Sequence, residues 1–167
     1  AEPRIPPYAA GGAPLALAPV IFRAARDGST EVSTTALLSG PFSGGGVDDL
    51  RIPISGRIGG PQGGFAFGRG CIETRFRSLS AGSLRLGPTR LPICPVGPAI
   101  LYQRADGTLG VGAEARNLRL AGRLGQSPFM LNAGTARMTG SDRFALTRMA
   151  MQLGKPTSPV KVEAATL

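Results

Sequence analysis

The stretch Leu50-Arg-Ile-Pro-Ile-Ser-Gly-Arg-Ile-Gly-Gly60, followed after a Gly-rich break by Phe65-Ala-Phe67, decides how this chain folds. Apolar residues alternate with polar or small ones up to a Gly-Arg-Ile-Gly step, and an aromatic then restarts the alternation. A variant returns as Arg116-Asn-Leu-Arg-Leu-Ala-Gly-Arg-Leu-Gly-Gln126, then Phe129-Met-Leu131. Each copy predicts a strand, a bend and a returning strand. A repeated hairpin that cannot bury its apolar face alone implies neighbours ranged beside it.

The surrounding composition agrees. Of 167 residues, 25 are Gly and 15 are Pro, while there is no Trp and no His. Pro and Gly are costly inside helices and mark turns, bulges and strand edges, so the expected class is all-β. An apolar fraction of 42% opposes global disorder. The net charge of +9 comes almost wholly from arginine. Such a balance suits nucleic acid or anionic lipid headgroups, but the arginines fall singly along the strands (Arg51, Arg57, Arg75, Arg77, Arg116, Arg119, Arg123) and form no run. A solvated strand face accounts for them, and nucleic acid is not expected as a partner.

Residues 1–14 read as an irregular linker or lead-in, and residues 15–167 as a single all-β domain. The uncharged run from Ile5 to Phe22 carries Pro6, Pro7, Pro14 and Pro19, which a membrane-spanning helix does not tolerate together. No signal peptide is visible, so a removed leader or a section of a longer polypeptide is expected. Leu15 to Ala25 is extended and broken by Pro19; Asp27-Gly28 turns it into Thr30 to Leu38. Ser39 to Asp49, with Gly44-Gly-Gly46, reads as a loop. Pro88, Pro92, Pro95 and Pro98 suggest an edge or covering loop. In Phe144 to Leu153 the apolar phase slips near Thr147 and Arg148, as a β-bulge would make it do, with a short helix as the alternative. Val160 to Ala165 closes the chain as a strand.

Catalytic groups are scarce. Without His, the commonest general base and metal ligand is missing, and the acids lie mostly beside turn residues. No cofactor, metal or enzymatic activity is expected. The Gly-rich connections Ser43-Gly-Gly-Gly46 and Gly59-Gly-Pro-Gln-Gly-Gly64 lack the Lys-Ser/Thr and helix start of a phosphate loop. Cys71 and Cys94 lack the partners of a four-ligand zinc site and the Cys-x-x-Cys redox spacing. A disulfide tying the Pro-rich segment to the sheet would fit an oxidising compartment; two unrelated buried thiols are the alternative.

Taken in order, Cys71, Phe76-Arg-Ser-Leu-Ser-Ala-Gly-Ser-Leu-Arg-Leu-Gly87, Leu91-Pro-Ile-Cys-Pro95, Asp106-Gly107 and Leu118-Arg-Leu-Ala-Gly-Arg-Leu-Gly-Gln-Ser-Pro-Phe129 resemble the YdbH branch of the AsmA-like proteins and the related TamB group. The resemblance covers roughly Ser39 to Leu167. It implies a bridge in the envelope of Gram-negative bacteria, anchored in the inner membrane and crossing the periplasm. Its long antiparallel sheet would fold like a taco shell, and phospholipids would pass along an apolar groove towards the outer membrane. With no anchor-like stretch read in it, the sequence would be one section of such a bridge, expected to meet neighbouring sections of the same bridge and an outer-membrane partner of unknown identity.

The residues support the same picture without the family. A curved sheet with an uncovered apolar face must meet another layer, another subunit or a ligand, and phospholipid acyl chains would serve. The expected groove residues are Ile52, Ile54, Ile58, Phe65, Phe67, Ile72, Phe76, Leu118, Leu120, Leu124, Phe129 and Leu131. A β-sandwich or barrel packing this face as its own core is the alternative fold. The alternative function is a structural or adhesive β-module that binds a protein partner by edge-strand addition or through its basic face.

Overall fold

The computed structural model describes residues 8–10, 13–61, 63–140, 142–155, 157 and 159–166. Among them the regular structure is strand, with no helix. The strands are β1 (Tyr8–Ala10), β2 (Ala13–Leu17), β3 (Ile21–Ala24), β4 (Ser29–Phe42), β5 (Gly45–Gly59), β6 (Phe65–Phe67), β7 (Ile72–Phe76), β8 (Ser78–Ala81), β9 (Leu84–Leu86), β10 (Thr89–Pro95), β11 (Leu101–Gln103), β12 (Leu109–Leu124), β13 (Ser127–Thr139), β14 (Arg143–Leu153) and β15 (Val160–Thr166).

All of them belong to one curved antiparallel sheet. The long strands pair with their chain neighbours, β4 with β5, β12 with β13, β13 with β14 and β14 with β15. Between β5 and β12 the chain makes two broken files. β6, β7 and β8 follow one another along an edge of β5, while β11, β10 and β9 lie along an edge of β12. The two files pair with each other. These pairings close a six-strand ring through β5, β6, β11, β12, β10 and β7. Since β4 fills the other edge of β5 and β13 that of β12, the outer strands extend the sheet on both flanks of the ring.

A sandwich would need two separate sheets, whereas these strands form one sheet whose middle closes into a six-strand barrel, with outer strands beyond it. The accessible surface is 10938 Å², whereas a compact protein of this mass exposes about 7,800 Å². The excess is what the outer strands, extending the sheet beyond its closed middle, leave in contact with solvent.

The repeat is the pair of hairpins its pattern predicts. β5 turns at Gly59 (φ 75) and β12 at Gly125 (φ 59), equivalent glycines in the left-handed region where side chains are disfavoured. The first hairpin also matches, with Pro19 in the break between β2 and β3 and Gly28 (φ 77) in the turn to β4. In β14 the slip falls at Arg148 (φ 50), and the strand is continuous with its partners, so the helix alternative is excluded.

Two expectations need correction. Ser39 to Asp49 is not a loop: β4 and β5 run through it and turn only at Ser43-Gly44, because Gly45 to Asp48 gain β8 as a second partner. The proline segment is neither edge nor cover, since β10 lies inside the sheet. Its pairing with β7 spans Thr89 to Ile93, but its pairing with β12 covers only Cys94 and Pro95, so Pro92 sits where one edge carries no ladder. β1 and the start of β2 lie within the expected lead-in, of which residues 1–7, 11 and 12 are outside the described residues.

A seam of irregularities crosses the sheet. Residues paired across strands share a face, so the register fixes which side chains point inward. On β5, β12, β13 and β14 the inward positions step by three residues instead of two: Val47 to Leu50, Ala115 to Leu118, Ala133 to Ala136, and Leu146 to Met149. The two short-strand files do the same at Phe76 to Leu79 and Leu86 to Thr89. Asp49, Asn117 and Arg148, all at positive φ, are residues that absorb the step.

Candidate functional site

All twelve expected groove residues fall on one face of the sheet. Ile58 pairs with Phe65, Leu120 with Leu131, and Phe76 faces Thr89 beside Ile72 and its partner Ile93. Phe67 pairs with Gly56 and Phe129 with Gly122, the matching glycines of the two repeat copies. At Gly56 a Cβ would run into the Phe67 ring and the Ala66 carbonyl; at Gly122 it would meet the Arg85 carbonyl. Glycine on this face lets adjacent backbones close up, which is what a sheet curling towards that side requires.

Burial marks the same face as the concave one. Val47, Phe76 and Leu86 form a buried cluster, packed by Leu38, Leu50, Leu79, Leu84, Leu91, Leu120 and Phe129. In a single layer such burial arises only where the sheet wraps over itself. Of the twelve, Phe76 is buried at 8% exposure, while Ile58 and Leu124 stand at 45% and 37%. The other nine are half-buried. The apolar face is therefore closed in its middle and open towards its ends, where Phe144, Val160 and Val162 are also exposed.

Sequence reasoning missed the centre of this face. Val47 lies in the stretch read as a loop and Leu91 among the prolines. The alternation Leu79, Ala81, Leu84, Leu86 around Gly82 was the signal available for the rest. One polar group is stranded there: among the described residues the buried Thr74 hydroxyl has no hydrogen-bond partner.

The outer face carries the charge. Arg57 pairs with Asp27 at 3.0 Å and Glu31 at 3.6 Å, Arg51 with Asp49 at 2.8 Å, and Glu114 with Arg116 and Arg137 at 2.6 and 3.5 Å. The exposed pairs of Arg51 and Arg57 contribute little stability each, whereas the Glu114 side chain is mostly covered, at 11% exposure. The Ser29 hydroxyl, 2.6 Å from Asp27, holds that carboxyl below its usual range, helped by the Ser29 amide and Arg57. Thr108 does the same for Asp106, and Arg51 for Asp49.

Cys71 and Cys94 form a disulfide, with Cα atoms 4.0 Å apart. They flank the pair Ile72 and Ile93 and clamp β7 to β10 on the outer face. A disulfide is compatible with an oxidising compartment. Comparison with protein-family models, with curated proteins and with solved structures finds no match.

Proposed function

We propose that this chain is a non-enzymatic section of an envelope-spanning conduit, carrying phospholipid between inner and outer membranes along its apolar inner face. The observation that carries the reading is the placement of all twelve groove residues on the concave face of one curved sheet, which is open towards its ends. Acyl chains lying on that face would remove apolar area from water at about 25 cal/mol per Å² and would need no directed polar contact. The disulfide suits the periplasm, between the two membranes.

The sheet's ends suit a bridge built of sections. Among the described residues β1 and β15 terminate the strand order, so each offers an edge on which a neighbouring section can continue the sheet. The expected resemblance to the YdbH branch of the AsmA-like proteins supports the same reading through its motifs. Mass spectrometry of protein purified from a cell envelope tests it: phospholipid should be retained on the chain. Protein that leaves the envelope free of lipid, while keeping its strand-dominated circular dichroism, would remove the proposal in favour of a β-module that binds protein partners.

A further inference from the structure

We infer that the outer face holds a second site, which binds phosphate groups at a slit between β10 and β12. The slit follows from register. Cys94 pairs with Glu114 at one end and Leu86 with Gly122 at the other, but no ladder joins the strands between. If it did, Thr89 would stand opposite Arg119; Thr89 faces inward with Phe76, whereas Arg119, between Leu118 and Leu120, faces outward. The three-residue steps of the two strands are out of line here, so their faces disagree and the backbones cannot pair.

Cations stand on both sides of that slit. Arg51, Arg75 and Arg90 are directly opposed in one row across β5, β7 and β10. Like charges directly opposed across strands destabilise a sheet. Arg51 is neutralised by Asp49, but among the described residues Arg75 and Arg90 have no ion-pair partner. Arg75, Arg77 and Arg90 line one hollow together with a single carboxylate, Asp49; Arg119, Arg148, Asn117 and Asn132 line the next, of about 690 Å³, and the two hollows share Pro88 and Thr89. Among the described residues Arg119 and Arg148 also lack an ion pair.

Repulsion within the fold and ladder-free backbone at the slit are both relieved by the same kind of ligand. Guanidinium groups bind phosphate through paired N–H donors, and amides released from a ladder are further donors for its oxygens. The ligand class is a phosphate ester, carried either by a soluble molecule or by a lipid headgroup. The site is on the face opposite the apolar one and stands or falls independently of lipid carriage there.

The test is thermal melting and calorimetric titration of the intact chain with inorganic pyrophosphate and with glycerol phosphate, against sodium chloride of equal ionic strength. Pyrophosphate should raise the melting temperature beyond the chloride control. Arg90→Gln with Arg119→Gln should weaken binding by about tenfold or more, the scale of losing charge-assisted contacts on both lips. Arg143→Gln, which removes a charge lining neither hollow, should leave binding unchanged. Without anion, Arg75→Gln should melt no lower than the parent, since it relieves a like-charge opposition, a result that a purely structural arginine would not produce. Flotation with phosphatidic acid vesicles separates the sources: binding to vesicles alone assigns a lipid headgroup, and binding to glycerol phosphate alone assigns a soluble ester. No response to any phosphate probe beyond the chloride control overturns the inference, as does full binding by the double variant.

Discussion

Phe67 pairs with Gly56, and its ring occupies the space that a Cβ on Gly56 would need. The first copy of the repeat thus spends its glycine on contact with the aromatic that restarts the alternation. Gly56→Ala should therefore destabilise the chain by about 1–3 kcal/mol, the range for overpacking a filled position. Gly70, with nothing within 4 Å of its would-be Cβ, provides the control. Gly70→Ala should be close to neutral in urea unfolding, and equal midpoints for the two variants would contradict the close approach.

The inner face can be tested at residues that differ in burial. Phe76→Asp places a carboxylate in the buried cluster and should cost several kcal/mol, enough to unfold the chain. Ile58→Asp and Leu124→Asp lie at exposed positions of the same face and should leave melting nearly unchanged. If acyl chains lie there, those two variants should lose bound phospholipid while keeping their fold, and Phe129→Leu should keep both. Full lipid retention by Ile58→Asp and Leu124→Asp would sink the conduit reading.

The disulfide closes a loop with a sequence separation of 23 residues. Chain entropy values such a closure at about 3 kcal/mol. Replacing both cysteines by Ser should lower stability by up to that amount, since β7 and β10 are already paired beside the bond. Non-reduced protein should titrate with no free thiol, and a thiol found without reductant would contradict the pairing.

Acid should weaken two turns, at Asp27 and Asp106, and the irregular step of β5 at Asp49. Asp27, Asp49 and Asp106 have lowered carboxyl pKa values in the folded chain, chiefly through Ser29, Arg51 and Thr108 respectively. A depressed folded-state pKa contributes stability above the ordinary aspartate range, and this is lost as pH falls through the lowered value. Melting temperature should therefore be flat at neutral pH and decline below about pH 4. Thr108→Ala removes the first cause of the Asp106 shift and should flatten that acid limb. An unchanged limb would show that the turn hydrogen bonds, at 2.6 and 2.9 Å, do not couple to folding.

Much of this protein was legible in its sequence because the decisive signal is local. A period of two puts Ile52, Ile54 and Ile58 on one side whatever lies next to them, and likewise Leu118, Leu120 and Leu124. Pro and Gly punctuation argued against a helical protein, and the slip at Arg148 was visible as a break in phase, although only the pairing of β14 with its neighbours removed the helix alternative there. Cys71 and Cys94 were the only candidates for each other. What tertiary structure alone decided is how strands far apart in sequence fall into register. Pro92 and Val47 were misread because their roles depend on partners, β7 for one and β8 for the other, that no local pattern names. The slit has the same origin: β12 and the file of β9 and β10 each carry one three-residue step, and only their juxtaposition sets Thr89 against Arg119. Period is a property of one strand, whereas agreement of phase is a property of a pair, and so the arginines on the two lips of the slit became neighbours only when the sheet was assembled.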